Sequence, residues 1–137
     1  MDMLVLAGGF GTRLKNAVCN LPKPMAPING VPLLQLQLEH WIMQGQYSFI
    51  FLLHHQADII IKFLLERSRY FGEKVTIDWI VEDTPMGTGG SVANAINVLE
   101  LSGSVLVSNA DTWLDGGLKQ VINSDKPAVV GVIAVND

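Results

Sequence analysis

Short apolar runs alternate with amphipathic stretches along the whole chain, and this alternation restricts the fold more than any other feature of the sequence. Five runs have the length and apolar content of buried strands: Met3–Ala7, Ser48–His54, Lys74–Val81, Ser104–Ser108 and Ala128–Val135. Four other stretches carry apolar side chains at helical spacing: Pro32–Gln44, Ala57–Phe71, Gly90–Glu100 and Leu118–Ile122. Strands that alternate with helices predict a three-layer α/β/α sandwich with a mostly parallel sheet.

The composition indicates a single domain that spans residues 1–137. The chain has 137 residues, of which 49% are hydrophobic and 16% are charged, and this size is typical of one domain with one core. Its formal net charge is −4, and its lysines and arginines do not cluster. Because affinity for nucleic acid comes largely from basic side chains, we do not expect a nucleic-acid partner.

The sequence indicates neither a membrane protein nor a secreted one. The strongest apolar runs, Phe49–Leu53 and Ile59–Leu65, are too short to cross a bilayer. No basic segment precedes the first apolar run, as it would in a secretory signal, and Cys19 is the single cysteine. We therefore expect a cytoplasmic protein. The sequence leaves the oligomeric state open, and a homo-oligomer is one possibility.

A glycine-rich loop follows the first predicted strand, in the segment Leu6–Leu14. Glycine has no Cβ, so it can adopt a positive φ and let backbone N–H groups approach a phosphate or a base. Arg13 adds a forked cation that suits phosphate oxygens. The loop lacks the third glycine of a dinucleotide fingerprint and the Gly-Lys-Ser/Thr of a P-loop. The alternative interpretation is a glycine-rich turn with a surface arginine.

Lys23 lies between Pro22 and Pro24, in a stretch that holds three prolines in nine residues, Cys19–Pro27. Each proline lacks an N–H and restricts the residue before it, so no helix can run through this stretch. The stiff backbone can aim one long cation; the alternative is a solvated lysine in an irregular loop. Farther along, Asn29-Gly30 predicts a tight turn.

Glu82 opens a glycine-rich segment, 82–90, that joins a predicted strand to a predicted helix. A carboxylate there can accept hydrogen bonds from adjacent ring N–H and NH₂ groups, a pair that guanine offers. The glycines of this segment would let a base lie flat against the backbone. The alternative is a loop with helix-capping residues.

Asp111 comes directly after the fourth predicted strand. A lone carboxylate in that place suits a Mg²⁺ ion that is held by one or two protein ligands and by substrate phosphates. The alternative is an N-cap for the following turn. His54 ends a predicted strand and His55 follows it directly, and adjacent residues of an extended chain point to opposite faces, so we do not expect them to chelate one metal ion.

Taken together, four segments resemble the sugar-1-phosphate nucleotidylyltransferases, also called nucleotide-diphospho-sugar pyrophosphorylases: Leu6–Leu14, Pro22-Lys23-Pro24, Glu82–Gly90 and Asn109–Thr112. The third segment is most similar to the branch of mannose- and heptose-1-phosphate guanylyltransferases. The resemblance implies a Rossmann-like sandwich of the nucleotide-diphospho-sugar transferase type. It also implies an enzyme that transfers a nucleoside monophosphate from a nucleoside triphosphate, with GTP favoured, to a sugar 1-phosphate.

The resemblance further implies roles for individual residues. Arg13 and Lys23 would be catalytic, with Arg13 on the triphosphate and Lys23 between the α-phosphate and the sugar phosphate. Asp111 would hold Mg²⁺. The nucleotide-binding residues would be Leu6, Ala7, Gly8, Gly9, Gly11, Thr12, Glu82, Pro85, Gly87 and Thr88.

Members of this family extend beyond the length of this chain, and their later segments supply a second metal-binding aspartate and sugar-binding residues. We therefore expect residues 1–137 to be the nucleotide-binding portion of a catalytic domain, truncated at its C-terminus. One alternative is a non-catalytic nucleotide-binding module that regulates a partner. A Rossmann-type oxidoreductase is disfavoured, because His54, His55 and Gln56 stand where an acidic residue should end the second strand.

Overall fold

Strands and helices alternate along the chain as the sequence predicts. The computed structural model describes residues 1–9 and 20–131. Its elements are β1 (Met3–Leu6), β2 (Pro27–Ile28), β3 (Val31–Pro32), α1 (Leu33–Met43), β4 (Ser48–Leu53), α2 (Ala57–Phe71), β5 (Thr76–Val81), α3 (Gly87–Val98), β6 (Leu106–Asn109) and α4 (Leu118–Ile122). Single 3-10 turns occupy Lys23–Met25 and Gly72–Lys74.

The main sheet is parallel throughout the part of the chain that the structure describes, and its strand order is β5-β4-β1-β6. In register, Val5 of β1 lies opposite Phe51 of β4 on one side and Ser108 of β6 on the other. From β1 the chain moves outward through β4 to β5 and then returns across β1 to β6. The strand order therefore reverses between β1 and β6, and folds of this class bind ligands at such a switch point.

The helices cover both faces of this sheet. Met3 and Val5 pack in the larger core, whose helix residues come from α1 and α2. Leu4 lies in the second core, on the opposite face, with Ala95 of α3. Alternate residues of a strand point to opposite faces, so β1 contributes to both cores. The result is the three-layer sandwich that the sequence predicts.

Two predicted elements differ from the structure by more than two residues at an end. Helix α3 begins at Gly87, three residues before the predicted stretch, because Gly87 adopts a φ of +69°, which favours glycine and allows the chain to turn there. The predicted strand Ala128–Val135 is absent over residues 128–131, and the rest of it lies outside the described residues. Val130 is 80% exposed, and an apolar run forms a strand only where a neighbouring strand pairs with it.

The turn predicted at Asn29-Gly30 is present and joins β2 to β3 in a small antiparallel ribbon. Both residues have positive φ values, 50° and 82°, as a two-residue hairpin turn requires. None of the helices in the described ranges is long and apolar enough to span a membrane.

Candidate active site

A cleft of about 720 Å³ opens beyond the carboxyl ends of β1, β4, β5 and β6. Ten of the predicted site residues line it: Leu6, Ala7, Gly8, Gly9, Lys23, Glu82, Pro85, Gly87, Thr88 and Asp111. The other three, Gly11, Thr12 and Arg13, lie outside the described residues. Four segments that are distant in sequence therefore meet at one place, because parallel strands present their carboxyl ends along the same edge of the sheet.

The glycine loop enters the cleft close against β4. The N–H of Ala7 donates to the carbonyl of Leu52 at 3.0 Å, which continues the sheet by one residue. A Cβ on Gly8 would lie 3.1 Å from the Cβ of His54 and 3.2 Å from its backbone nitrogen. Gly8 and Gly9 do not have a positive φ, which is one of the two reasons that the sequence suggested for glycine in this loop. The physical reason at Gly8 is the close approach of the two chain segments.

Lys23 and Asp111 form an ion pair across the cleft. The Nζ atom of Lys23 donates to Oδ2 of Asp111 at 2.5 Å, although the residues are 88 positions apart in sequence. Pro22 immediately precedes the 3-10 turn that contains Lys23, and Pro24 is buried, so the backbone beneath the lysine is fixed. Both side chains keep about one-third of their surface exposed, and so remain accessible from the cleft.

The structure does not support an N-cap role for Asp111. Its carboxylate oxygens accept hydrogen bonds from the side chains of Lys23 and Thr112. The next helix, α4, begins several residues later and has Gly117 at its N-cap. The N–H of Ala110 donates to the carbonyl of Leu6 at 3.0 Å, so Asp111 is the residue at which the chain leaves the sheet after β6.

Glu82 lies where β5 ends and is 9% exposed. Its Oε2 atom accepts a long hydrogen bond, 3.4 Å, from the N–H of Met86 just before α3. This contact fits the loop-capping alternative, and the position of Glu82 in the cleft lining fits the base-reading one. The two roles are compatible, since a carboxylate has two oxygens and about four acceptor sites.

Six residues that line the cleft are absent from the predicted site residues, although three of them lie in the segments that carry the resemblance: Pro24, Leu52, His54, Met86, Ser91 and Asn109. The sequence analysis weighs His54 as a metal ligand and as the end of the second strand, whereas in the structure its Nδ1 atom lies 2.7 Å from the backbone oxygen of Glu82. Ser91 donates its hydroxyl hydrogen to the carbonyl of Gly87 at 2.8 Å, one turn earlier in α3. His54 is the last residue of a predicted strand, at the edge of the sheet where ligands are expected to bind. This position is the signal by which the sequence could have indicated it.

The two ends of the cleft thus differ in their chemistry. A buried carboxylate, Glu82, lies at one end, where it can accept hydrogen bonds from a ligand. Lys23 and Asp111 lie at the other, where a cation and a carboxylate suit phosphate and a metal ion, respectively. Within residues 1–9 and 20–131, no three His, Cys, Asp or Glu side chains form a group that could hold a metal ion by themselves.

The family model named Nucleotidyl transferase matches residues 2–135 of this chain. The chain belongs to the nucleotidyl transferase family. The family resemblance read from the four sequence segments is thereby confirmed. The roles of the individual site residues stay predictions.

Two relatives of this chain have named activities. It is 31% identical over 137 residues to a D-glycero-alpha-D-manno-heptose 1-phosphate guanylyltransferase of Campylobacter jejuni, and the match covers all of this chain and 59% of the relative. It is 30% identical over 127 residues to a mannose-1-phosphate guanyltransferase of Hypocrea jecorina, with 92% of this chain and 34% of the relative covered. The chain therefore spans only about a third to three-fifths of these relatives.

Solved structures agree with the fold of this chain. HddC from Yersinia pseudotuberculosis, solved in complex with GMP-PN, matches with a TM-score of 0.76 and 36% identity over 88% of this chain and 52% of that one. The inositol-1-phosphate CTP transferase of T. maritima matches with a TM-score of 0.71 at 17% identity, over 91% of this chain and 49% of that one, which supports the fold alone. The predicted fold class is confirmed.

Proposed function

We propose that this chain is the nucleotide-binding portion of a sugar-1-phosphate guanylyltransferase. The enzyme would transfer GMP from GTP to a sugar 1-phosphate and release pyrophosphate. The observation that carries this proposal is the single cleft that holds both Glu82 and the Lys23–Asp111 pair. The guanylyltransferase activity named for relatives from two organisms supports the choice of reaction and of GTP.

Glu82 would read the base. Guanine presents a ring N–H and an NH₂ group on one edge, and a carboxylate can accept from both. Burial of Glu82 keeps water from competing for these hydrogen bonds. The neighbouring backbone at Pro85 and Gly87, which lines the same cleft, would lie against the ring.

The residues present fit a Mg²⁺ ion at the phosphate end. Mg²⁺ is commonly held by one or two carboxylates together with substrate phosphates, and Asp111 offers one partly exposed carboxylate in the cleft. When bound, the ion would neutralise charge on the phosphate oxygens. Lys23, which contacts Asp111, would then be available for a phosphate oxygen.

The reaction would be a direct transfer of the guanylyl group. An oxygen of the sugar 1-phosphate attacks the α-phosphorus of GTP, and the bond from that phosphorus to the bridging oxygen of the β-phosphate breaks. Pyrophosphate leaves, and a GDP-sugar forms. No protein nucleophile is required, so Lys23 contributes by positioning both phosphates and by neutralising the charge that develops on them.

Calorimetric titration of the protein with GTP, UTP, CTP, dTTP and ATP in the presence of Mg²⁺ tests the proposal. We expect GTP to bind most tightly. Pyrophosphate release is then followed with mannose 1-phosphate and with heptose 1-phosphate. Absence of binding for every nucleotide would contradict the proposal.

Binding of GTP without pyrophosphate release would favour the non-catalytic module that the sequence analysis also considered. The cytoplasmic location stays a prediction, and the oligomeric state stays open.

A further inference from the structure

Gln37 is a polar residue in the middle of the apolar face of α1. Its side chain is only 2% exposed, and it lies among the buried residues of that helix, Leu34, Leu38 and Trp41. Its Nε2 atom donates to the carbonyl of Thr112 at 2.6 Å and to the carbonyl of Asn109 at 3.5 Å. These contacts join α1 to the Asp111 loop, which we define as residues 109–114.

Packing alone does not account for an amide at this position. Burying an amide costs free energy unless its polar atoms find partners, and a leucine would fill similar space without that cost. In the described part of the chain, the Oε1 atom of Gln37 has no hydrogen-bond partner. The NH₂ group is therefore the part of the side chain that contributes favourably, through its two contacts with the loop.

The two contacts lie on either side of Asp111. Gln37 holds the carbonyl of Asn109 before it and the carbonyl of Thr112 after it. The N–H of Ala110, between them, donates to Leu6 in β1. The peptide groups around Asp111 are thus fixed from two directions, and this places its carboxylate beside Lys23.

A second residue of α1 contacts the same loop. His40 lies three residues after Gln37, on the same side of the helix, and its Nε2 atom is 3.0 Å from the carbonyl of Leu114. Its ring stacks on Trp113 with 4.6 Å between centroids. Contact at both ends of the loop indicates that α1 supports the whole Asp111 loop.

We propose that Gln37 is a positioning residue that holds Asp111 in the geometry needed for the metal–nucleotide complex. Gln37 is not among the residues that line the cleft in the described part of the chain, so it acts through the backbone on both sides of Asp111. The proposal rests on the proposed function for the metal step. The part that concerns the loop stands on the hydrogen bonds alone.

The test compares Gln37→Met with Gln35→Met. Methionine keeps the volume of glutamine and removes its N–H donors, so the first variant loses the contacts with the loop. Gln35 is on the same helix, and its side chain donates to Glu39, four residues along, so the second variant is a matched control. We measure Mn²⁺ affinity by electron paramagnetic resonance with GTP present, GTP affinity with EDTA present, and hydrogen exchange of residues 109–114.

We expect Gln37→Met to bind Mn²⁺ about tenfold more weakly, because loss of a group that supports a metal ligand typically costs about 10–100-fold. GTP affinity without metal should stay unchanged, and hydrogen exchange of the Asp111 loop should become faster. A general loss of structure would lower both affinities together. Unchanged Mn²⁺ affinity and unchanged hydrogen exchange in Gln37→Met would overturn the proposal.

Two further outcomes are also decisive. If the wild-type protein binds neither GTP nor Mn²⁺, the proposed function fails, and hydrogen exchange alone then supports or overturns the role of Gln37 in the loop. If Gln37→Met does not fold, nuclear magnetic resonance of the wild-type protein replaces it. Side-chain amide protons of Gln37 that exchange slowly support the contacts, and exchange as fast as that of Gln35 overturns them.

Discussion

At the scale of single residues, Glu82 combines burial with spare capacity for hydrogen bonds. It is 9% exposed, and in the described part of the chain its carboxylate accepts one long bond, from Met86. Two carboxylate oxygens offer about four acceptor sites, so most of them are available in the cleft. A ligand with two adjacent N–H donors would satisfy them, which is the physical basis for a preference for guanine.

We predict that Glu82→Gln reduces the preference for GTP over UTP by roughly tenfold to a hundredfold. The amide keeps one acceptor oxygen, but it turns an N–H donor toward a donor of guanine, and a hydrogen bond to a charged group is worth about 1.5–3 kcal/mol. Calorimetry with both nucleotides gives the ratio. Asp78→Asn, an exposed residue of β5, is the control. An unchanged ratio would remove Glu82 from base recognition.

Asp111 gives a second prediction for a single residue. Its ion pair with Lys23 is about one-third exposed, and such pairs contribute roughly 0–1 kcal/mol to stability. We therefore expect Asp111→Asn to change the free energy of urea unfolding by less than about 1 kcal/mol. Its Mn²⁺ affinity with GTP present should fall by about tenfold or more. Mutation of a group that only supports a metal ligand already lowers metal affinity by about 10–100-fold.

The control for this prediction is Asp115→Asn, which removes the same charge from an exposed position nearby. Both variants should unfold at similar urea concentrations, and the control should keep the metal affinity of the wild type. Wild-type metal affinity in Asp111→Asn would show that another group holds the ion. A large loss of stability would instead assign Asp111 a structural role.

At the scale of elements, the end of β1 is held close to the end of β4. A Cβ added to Gly8 would lie 3.1 Å from the Cβ of His54, whereas one added to Gly9 would meet nothing within 4 Å. We predict that Gly8→Ala lowers the free energy of unfolding by about 1–3 kcal/mol, the usual cost of forcing extra atoms into a packed site. Gly9→Ala should change it by less than about 0.5 kcal/mol.

Urea unfolding of both variants checks this prediction, and nucleotide affinity adds a second measurement. The displaced loop in Gly8→Ala should also weaken GTP binding, because Ala7 and Gly8 line the cleft. Equal stability of the two alanine variants would mean that the loop relaxes freely away from His54. The close approach would then not be the reason for glycine at this position.

Elements with a strong periodic pattern could be predicted from the sequence, and those that depend on tertiary contacts could not. Helix α2 has the predicted bounds, Ala57–Phe71, because its apolar stripe is long and Gly72, at a φ of 65°, ends it. The first turn of α3 was missed, since glycines have low helix propensity and tertiary contacts decide there.

The same distinction holds inside the site. Segments with unusual chemistry, such as the glycine loop and Pro22-Lys23-Pro24, were visible in the sequence. Gln37 was not, because a glutamine in an amphipathic helix normally faces solvent. Its spacing was a usable signal: it lies three residues after Leu34 and four before Trp41, which places it on the apolar face.

At the scale of the whole molecule, the cleft lies where the order of the strands in the sheet reverses, between β1 and β6. The glycine loop follows β1, Glu82 follows β5, and Asp111 follows β6, so a ligand in the cleft contacts the ends of several strands at once. Such a ligand binds the folded protein and not the unfolded chain, in which these segments are far apart. Binding should therefore stabilise the entire domain.

We predict that GTP with Mg²⁺ raises the melting temperature and that EDTA removes most of this increase. At a GTP concentration about 100 times Kd, the stabilisation is ~2.7 kcal/mol, which for a chain of this size corresponds to roughly 10 °C. Thermal unfolding followed by circular dichroism measures it. An increase that persists in full with EDTA would contradict a metal at Asp111. An equal increase with UTP would contradict base recognition by Glu82. One experiment therefore tests the roles of the two ends of the cleft separately.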